Sequence, residues 1–124
     1  MDCVFCQICS GQEIVRNELA KAIYDQFPVN PGHILIIPSR HVATYYELTL
    51  EEEKAMRDLL WQCRDLLERD RRPSGYNIGV NVGEAAGQTI FHVHVHLIPR
   101  YEGDVEDPTG GVRNVIPGMG RYVS

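Results

Sequence analysis

No stretch of this 124-residue chain approaches the ~18 consecutive apolar residues that a membrane span needs. Its opening residues, "MDCVFCQICS", lack a basic region followed by an apolar run, so no signal peptide is expected and a cytoplasmic location is the default. Positive charge is in short supply. Twelve Lys and Arg stand against seventeen Asp and Glu, a formal net charge of -5. That balance argues against a nucleic-acid polymer held on a broad basic face, although a nucleotide needs only a few local donors. There is no internal repeat, no low-complexity segment and no Walker loop. What remains, 44% hydrophobic and 23% charged, is the composition of one globular domain over residues 1–124 with a modest core.

Cysteine is scarce, and in a reducing compartment the four present are not expected to form structural disulfides. Cys3 and Cys6 have the two-residue spacing that lets two thiolates reach one metal ion, which by itself is a weak signal. Cys9 extends the run to Cys-x2-Cys-x2-Cys, a spacing also used by iron–sulfur sites, but a cluster would need a fourth sulfur. Cys63 falls on the apolar stripe of an expected helix and reads as a small buried hydrophobe.

That helix has a clear start. Thr49 and Glu52 form a capping box, and Met56, Leu59, Leu60, Cys63, Leu66 and Leu67 follow at helical spacing. Pro73 and Gly75 end it, and its charged residues read as a solvated face. The other segments read as strands. "EIVR" and "LAKAIYD" suggest a hairpin, "HILIIP" is a short apolar run, and "YNIGVNV" alternates. Residues from about 101 to 124 are glycine- and proline-rich and read as an irregular tail. The order β-β-β-α-β-β predicts an α+β domain with an antiparallel sheet and one long helix.

The segment with the most chemistry is "FHVHVHLIPR". On an extended chain Phe91, Val93, Val95 and Leu97 point one way, and His92, His94 and His96 the other, spaced ~7 Å apart. Such a face has three readings: an ordinary polar surface, a ladder of metal ligands, or a catalytic surface. The catalytic reading has a chemical rationale. Imidazole is neutral and nucleophilic near pH 7, and a phosphorylated imidazole is a good leaving group, so one hard displacement becomes two easier ones. Gly87, Gln88 and Thr89, just upstream, offer donors suited to phosphate oxygens.

The run from His92 to Ile98 resembles the His-φ-His-φ-His-φ-φ signature of the histidine triad (HIT) family of nucleotide hydrolases and transferases. The likeness extends through "DCVFCQI", "YDQFPVNPGHILIIPSRHV" and "NVGEAAGQTIFHVHVHLIPR". It implies a five-stranded antiparallel sheet with one long helix and a short N-terminal helix, and a homodimer with a continuous sheet. It implies that His94 attacks phosphorus, that His96 assists at the phosphate or leaving group, and that His33 supports the triad. Asp25 matches the position that holds the ribose hydroxyls. Asn81, Gly87, Gln88 and Thr89 match positions that contact ribose and phosphate. Val4, Phe5, Ile8 and Ile23 match the apolar walls around the base, and for these a plain core role stays open. Some members carry structural zinc on a set that here is Cys3, Cys6, His41 and His92, a pattern that leaves Cys9 outside.

His96 stands where transferase relatives have glutamine, which favours hydrolysis. "LIPRYEGD" resembles the fragile histidine triad branch, which cleaves dinucleoside polyphosphates, whereas the Cys-x2-Cys pair is not usual there. The expected substrate is therefore either a dinucleoside polyphosphate or a nucleoside 5′-phosphoramidate. The expectation from another class is a nucleotide- or zinc-binding module without significant turnover. Arg100, Arg113 and Arg121 are candidate contacts to a polyphosphate.

Overall fold

The computed structural model describes residues 3–8 and 11–121. Five strands form one sheet: β1 (Val15–Arg16), β2 (Ala20–Tyr24), β3 (Ile34–Pro38), β4 (Gly75–Val80) and β5 (Val95–Arg100). One long helix, α1 (Leu50–Asp70), lies between β3 and β4 in the chain. The strand order is β1-β2-β3-β5-β4, and every neighbouring pair is antiparallel. This is the α+β architecture that the hydrophobic patterning predicted.

The capping box places the start of α1. Thr49 Oγ1 accepts from the Glu52 N–H at 3.0 Å, while the Glu52 carboxylate accepts from the Thr49 N–H at 2.9 Å. Arg40 grips the same carboxylate at 2.9 and 2.8 Å, tying the chain after β3 to the helix start. Met56, Leu59, Cys63 and Leu67 are the buried stripe of α1, which packs on Ala20, Ala22, Ile34, Ile36 and Leu97. Cys63 is thus a core residue, and burial pushes its thiol up to about 11.

All five residues of β3 are buried. Ile34 and Ile36 face the helix; Leu35 and Ile37 belong to a second apolar cluster with Phe5, on the opposite face of the sheet. His96 pairs with Leu35 across β3 and β5 and shares that second face. The sheet therefore separates a structural side, covered by α1, from a side left to the histidines and the N-terminal segment.

Two expectations shift. Residues 4–7 form a turn, so no N-terminal helix appears among the described residues; Cys9 lies outside them. Regular pairing of the last strand begins at Val95, after His92 and His94. Before it the chain is extended but held differently, with the Val93 N–H donating to Val42 O at 2.8 Å. Phe91 is 43% exposed and does not join the core with Val93 and Leu97.

Candidate functional site

Two groups of side chains occupy the face opposite α1. The first lines a cleft of about 630 Å³ bounded by the N-terminal segment, β2, β3, the loop before β5 and the histidines. His94 and His96 open into it, as do Asp25, Asn81, Gly87 and Thr89. Phe5, Ile8 and Ile23 supply apolar wall, and Val4 stands at the rim, 49% exposed.

Hydrogen bonds set the protons on its imidazoles. The His94 Nδ1 lies 3.0 Å from the carbonyl of His92, an acceptor only, so Nδ1 carries the proton and Nε2 keeps its lone pair. His33 is buried. Its Nδ1 accepts from the Val29 N–H at 3.1 Å, which puts its proton on Nε2. That Nε2–H lies 3.0 Å from His96 Nδ1, which must accept, leaving His96 with a proton on its own Nε2. A backbone amide thus fixes one tautomer, and that tautomer fixes the next. The cleft receives one imidazole presenting a lone pair and another presenting an N–H.

Burial supports the neutral forms of His33 and His96. It pulls the His96 imidazole down to about 4, helped by the neighbouring His94 and His33. Burial also lowers His33, against the opposing pull of the Asp25 carboxylate 3.5 Å away. The other Asp25 oxygen accepts from the Phe27 N–H at 2.9 Å, which orients the carboxylate at the cleft rim.

The second group is Cys3, Cys6, His41 and His92, whose donor atoms all lie within 4.8 Å of one another. Cys3 Sγ and Cys6 Sγ each stand 3.4 Å from His92 Nδ1, Cys6 Sγ 3.2 Å from His41 Nδ1, and the two Nδ1 atoms 3.2 Å apart. Corners of a tetrahedron with ligands ~2.0–2.3 Å from zinc are ~3.3–3.8 Å apart, so the set fits a four-coordinate ion. His92 is fully buried, and its Nε2–H donates to Pro38 O at 2.8 Å, which turns Nδ1 toward the other three donors. Two thiolates and two imidazoles fill four positions, so such an ion would have none left for substrate.

Gln88, expected at the phosphate from its place in "GQT", is not among the residues that line the cleft. Its side chain is buried. The carbonyl accepts from the Gly83 N–H at 2.9 Å, and the amide donates to Ala43 O and Ile90 O at 2.6 and 3.1 Å. It holds the loop that carries Gly87, whose left-handed φ of 97° disfavours any side chain. Arg100 is also engaged elsewhere. Nε and Nη2 meet the Asp104 carboxylate at 2.8 Å each, and Nη1 donates to Asn77 Oδ1 at 2.6 Å. Arg121 pairs with Asp107, and Arg113 Nε donates to Met119 O. No residue beyond His96 lines the cleft among the described residues. Conversely, Gln7, Gln12, Gln26, Leu35 and Ile90 line it without having been expected there. Of these only Leu35 had a sequence signal, since it alternates with the helix-facing Ile34 and Ile36.

A family model described as HIT domain matches residues 10–103. AP-4-A phosphorylase of Mycobacterium tuberculosis is 34% identical over 86% of this chain and 56% of its own length. Adenylylsulfatase HINT3 of Arabidopsis thaliana is 36% identical over 83% of this chain and 54% of its own length, so the chain spans little more than half of either protein. A crystal structure of a Zn-bound histidine triad family protein from Mycobacterium smegmatis superposes with a TM-score of 0.77 at 32% identity, covering 86% of this chain and 81% of that one.

Proposed function

The chain belongs to the histidine triad family, and from that premise we propose that it is a nucleotidyl hydrolase acting through a covalent nucleotidyl-histidine intermediate. The observation that carries the reading is the pair of complementary imidazoles in the cleft. His94 Nε2, its lone pair free, forms a bond to the α-phosphorus while the bond to the leaving group breaks. The His96 Nε2–H donates to the phosphoryl or leaving-group oxygen. Water then breaks the phosphorus–nitrogen bond, releasing a nucleoside monophosphate and restoring the imidazole. His33 acts through His96 by holding its tautomer. Asp25 at the rim suits ribose hydroxyls, Asn81, Gly87 and Thr89 suit ribose and phosphate, and Phe5, Ile8 and Ile23 suit the base.

Relatives with names built on AP-4-A and adenylylsulfate support adenylyl groups on a phosphoanhydride, so the favoured substrate is a dinucleoside polyphosphate, with a nucleoside 5′-phosphoramidate as the competitor. Cys3, Cys6, His41 and His92 suit zinc, which would supply a structural cross-link between the N-terminal segment and the sheet. A cytoplasmic setting would keep those thiols reduced. The apolar groove between α1 and the open edge of β4, about 670 Å³ with Ile78 and Leu50 at its surface, suits a second copy of the chain; sedimentation would give the state.

The deciding experiment runs diadenosine polyphosphates and adenosine 5′-phosphoramidate side by side and traps the intermediate by rapid acid-free quenching. Turnover with a nucleotidyl adduct on His94 supports the proposal. AMP binding with neither turnover nor adduct would establish a binding module instead.

A further inference from the structure

Phe5 belongs to both groups of side chains at once. In sequence it lies between Cys3 and Cys6, inside the short loop that carries the two thiols. In space its buried ring sits edge-on to the His92 imidazole, centroids 5.8 Å apart, and to the His94 imidazole, 5.1 Å apart. Its apolar neighbours are Leu35 and Ile37 on the sheet, with Cys3 and Ile8 packed alongside. The same segment forms a wall of the cleft through Val4, Phe5, Gln7 and Ile8. The segment forms no strand among the described residues, and the thiol–imidazole cluster and the Phe5 contacts join this wall to the sheet.

We infer that metal occupancy and nucleotide affinity are coupled through Phe5, which acts as a positioning residue between the two sites. With Cys3 and Cys6 drawn to His41 and His92, the loop holds Phe5 against His94 and completes the wall on which a base rests. Without the ion, the two thiols lose their common attachment, Phe5 leaves part of the time, and the nucleotide must first order the wall at its own expense. The inference rests on the reading of the cleft as a nucleotide site.

Linkage makes the coupling testable without any turnover. If zinc strengthens AMP binding by some factor, AMP must strengthen zinc binding by the same factor. AMP affinity is measured by calorimetry on zinc-loaded and chelator-stripped protein, and zinc affinity by competition with a chromophoric chelator, with and without saturating AMP. The expected result is about tenfold tighter AMP binding in the loaded protein and an equal gain for zinc in the presence of AMP. In Phe5→Ala both factors should fall toward one, with AMP affinity of the loaded variant close to that of stripped wild type. Phe5→Leu keeps an apolar side chain and should fall between, and a thermal melt of each variant confirms that it is folded. Cys3→Ser/Cys6→Ser should match stripped wild type in AMP affinity whether or not zinc is added. Equal AMP affinity with and without a stoichiometric zinc ion would overturn the coupling, as would a full factor retained in Phe5→Ala. Normal AMP binding with no stoichiometric zinc would overturn the metal assignment and the coupling together, leaving the nucleotide site intact. Zinc binding with no AMP binding would instead overturn the nucleotide reading.

Discussion

His94 and His96 have the same side chain but present opposite atoms to the cleft, a lone pair and an N–H, and the difference is made by one hydrogen bond each. A His94→Ala protein should lose turnover by several orders of magnitude while binding AMP about as well as the parent, since only the covalent route is removed. Activity within tenfold of the parent would refute the assignment. The depressed His96 group has a consequence for stability. Its folded value, about 4, lies below the ordinary 6.5, so the unfolded chain binds more protons between those values. Stability should therefore fall as pH drops from about 6.5 toward 4, and His96→Asn should flatten that part of a denaturation-midpoint profile. The identities of these histidines could be read from their alternation with valine. Their tautomers could not, because the groups that set them, Val29 N–H and the carbonyl of His92, carry no side-chain signal. Gln88 shows a different limit. A polar residue beside Gly87 has the chemistry of a phosphate donor, and only the positions of Gly83, Ala43 and Ile90 reveal that its hydrogen bonds are already made.

Among the elements, α1 was the most legible, because its start is encoded locally by Thr49 and Glu52 and its buried stripe by spacing alone. Removing the Thr49 side-chain oxygen in Thr49→Ala should lower stability by about 1 kcal/mol, measured by chemical denaturation. Glu52 carries a further link that no local pattern announces, the Arg40 guanidinium, which first among several donors holds its carboxyl down at about 2. Because this value is depressed from 4.5, the contribution is present in full above about pH 4.5 and is lost as pH falls toward 2. Glu52→Gln should cost about 1–2 kcal/mol at neutral pH, a range kept low because Arg40 is half exposed, and the mutant should lose less than the parent on acidification. The beginning of β5 departs from the alternating histidine pattern for a physical reason. Val93 spends its N–H on Val42, outside the sheet, so the period-two pattern extends upstream of the paired strand. That departure turns His92 toward Pro38 and the thiols while His94 and His96 keep the cleft.

For the whole molecule, the tail is a clasp on the far edge of the sheet. The Arg100–Asp104 pair, with Asn30 donating to Asp104 at 2.8 Å, anchors its start. Gly110 packs so closely on Gly120 that a Cβ would collide with backbone, and Gly111 approaches the Asn77 side chain of β4. Truncation after Asp107 should lower the thermal midpoint and leave the ratio of activities on diadenosine polyphosphate and phosphoramidate unchanged. A selective loss on the polyphosphate would show that the tail reaches a cleft after all, in a second copy. The strand order has one more consequence, for how the chain is made. β5 follows β4 in the chain, yet it occupies the place between β3 and β4. Until it emerges, β4 has no neighbour to join and His33 has no His96 to orient. A growing chain can therefore build its first three strands and helix as a scaffold, but the cleft lacks His94 and His96 until β5 follows. Both cleft imidazoles arrive with one segment, in a single step. A fragment ending at residue 90 should accordingly leave the β4 segment open to protease, and a separate peptide covering residues 91–124 should protect that segment and restore turnover together.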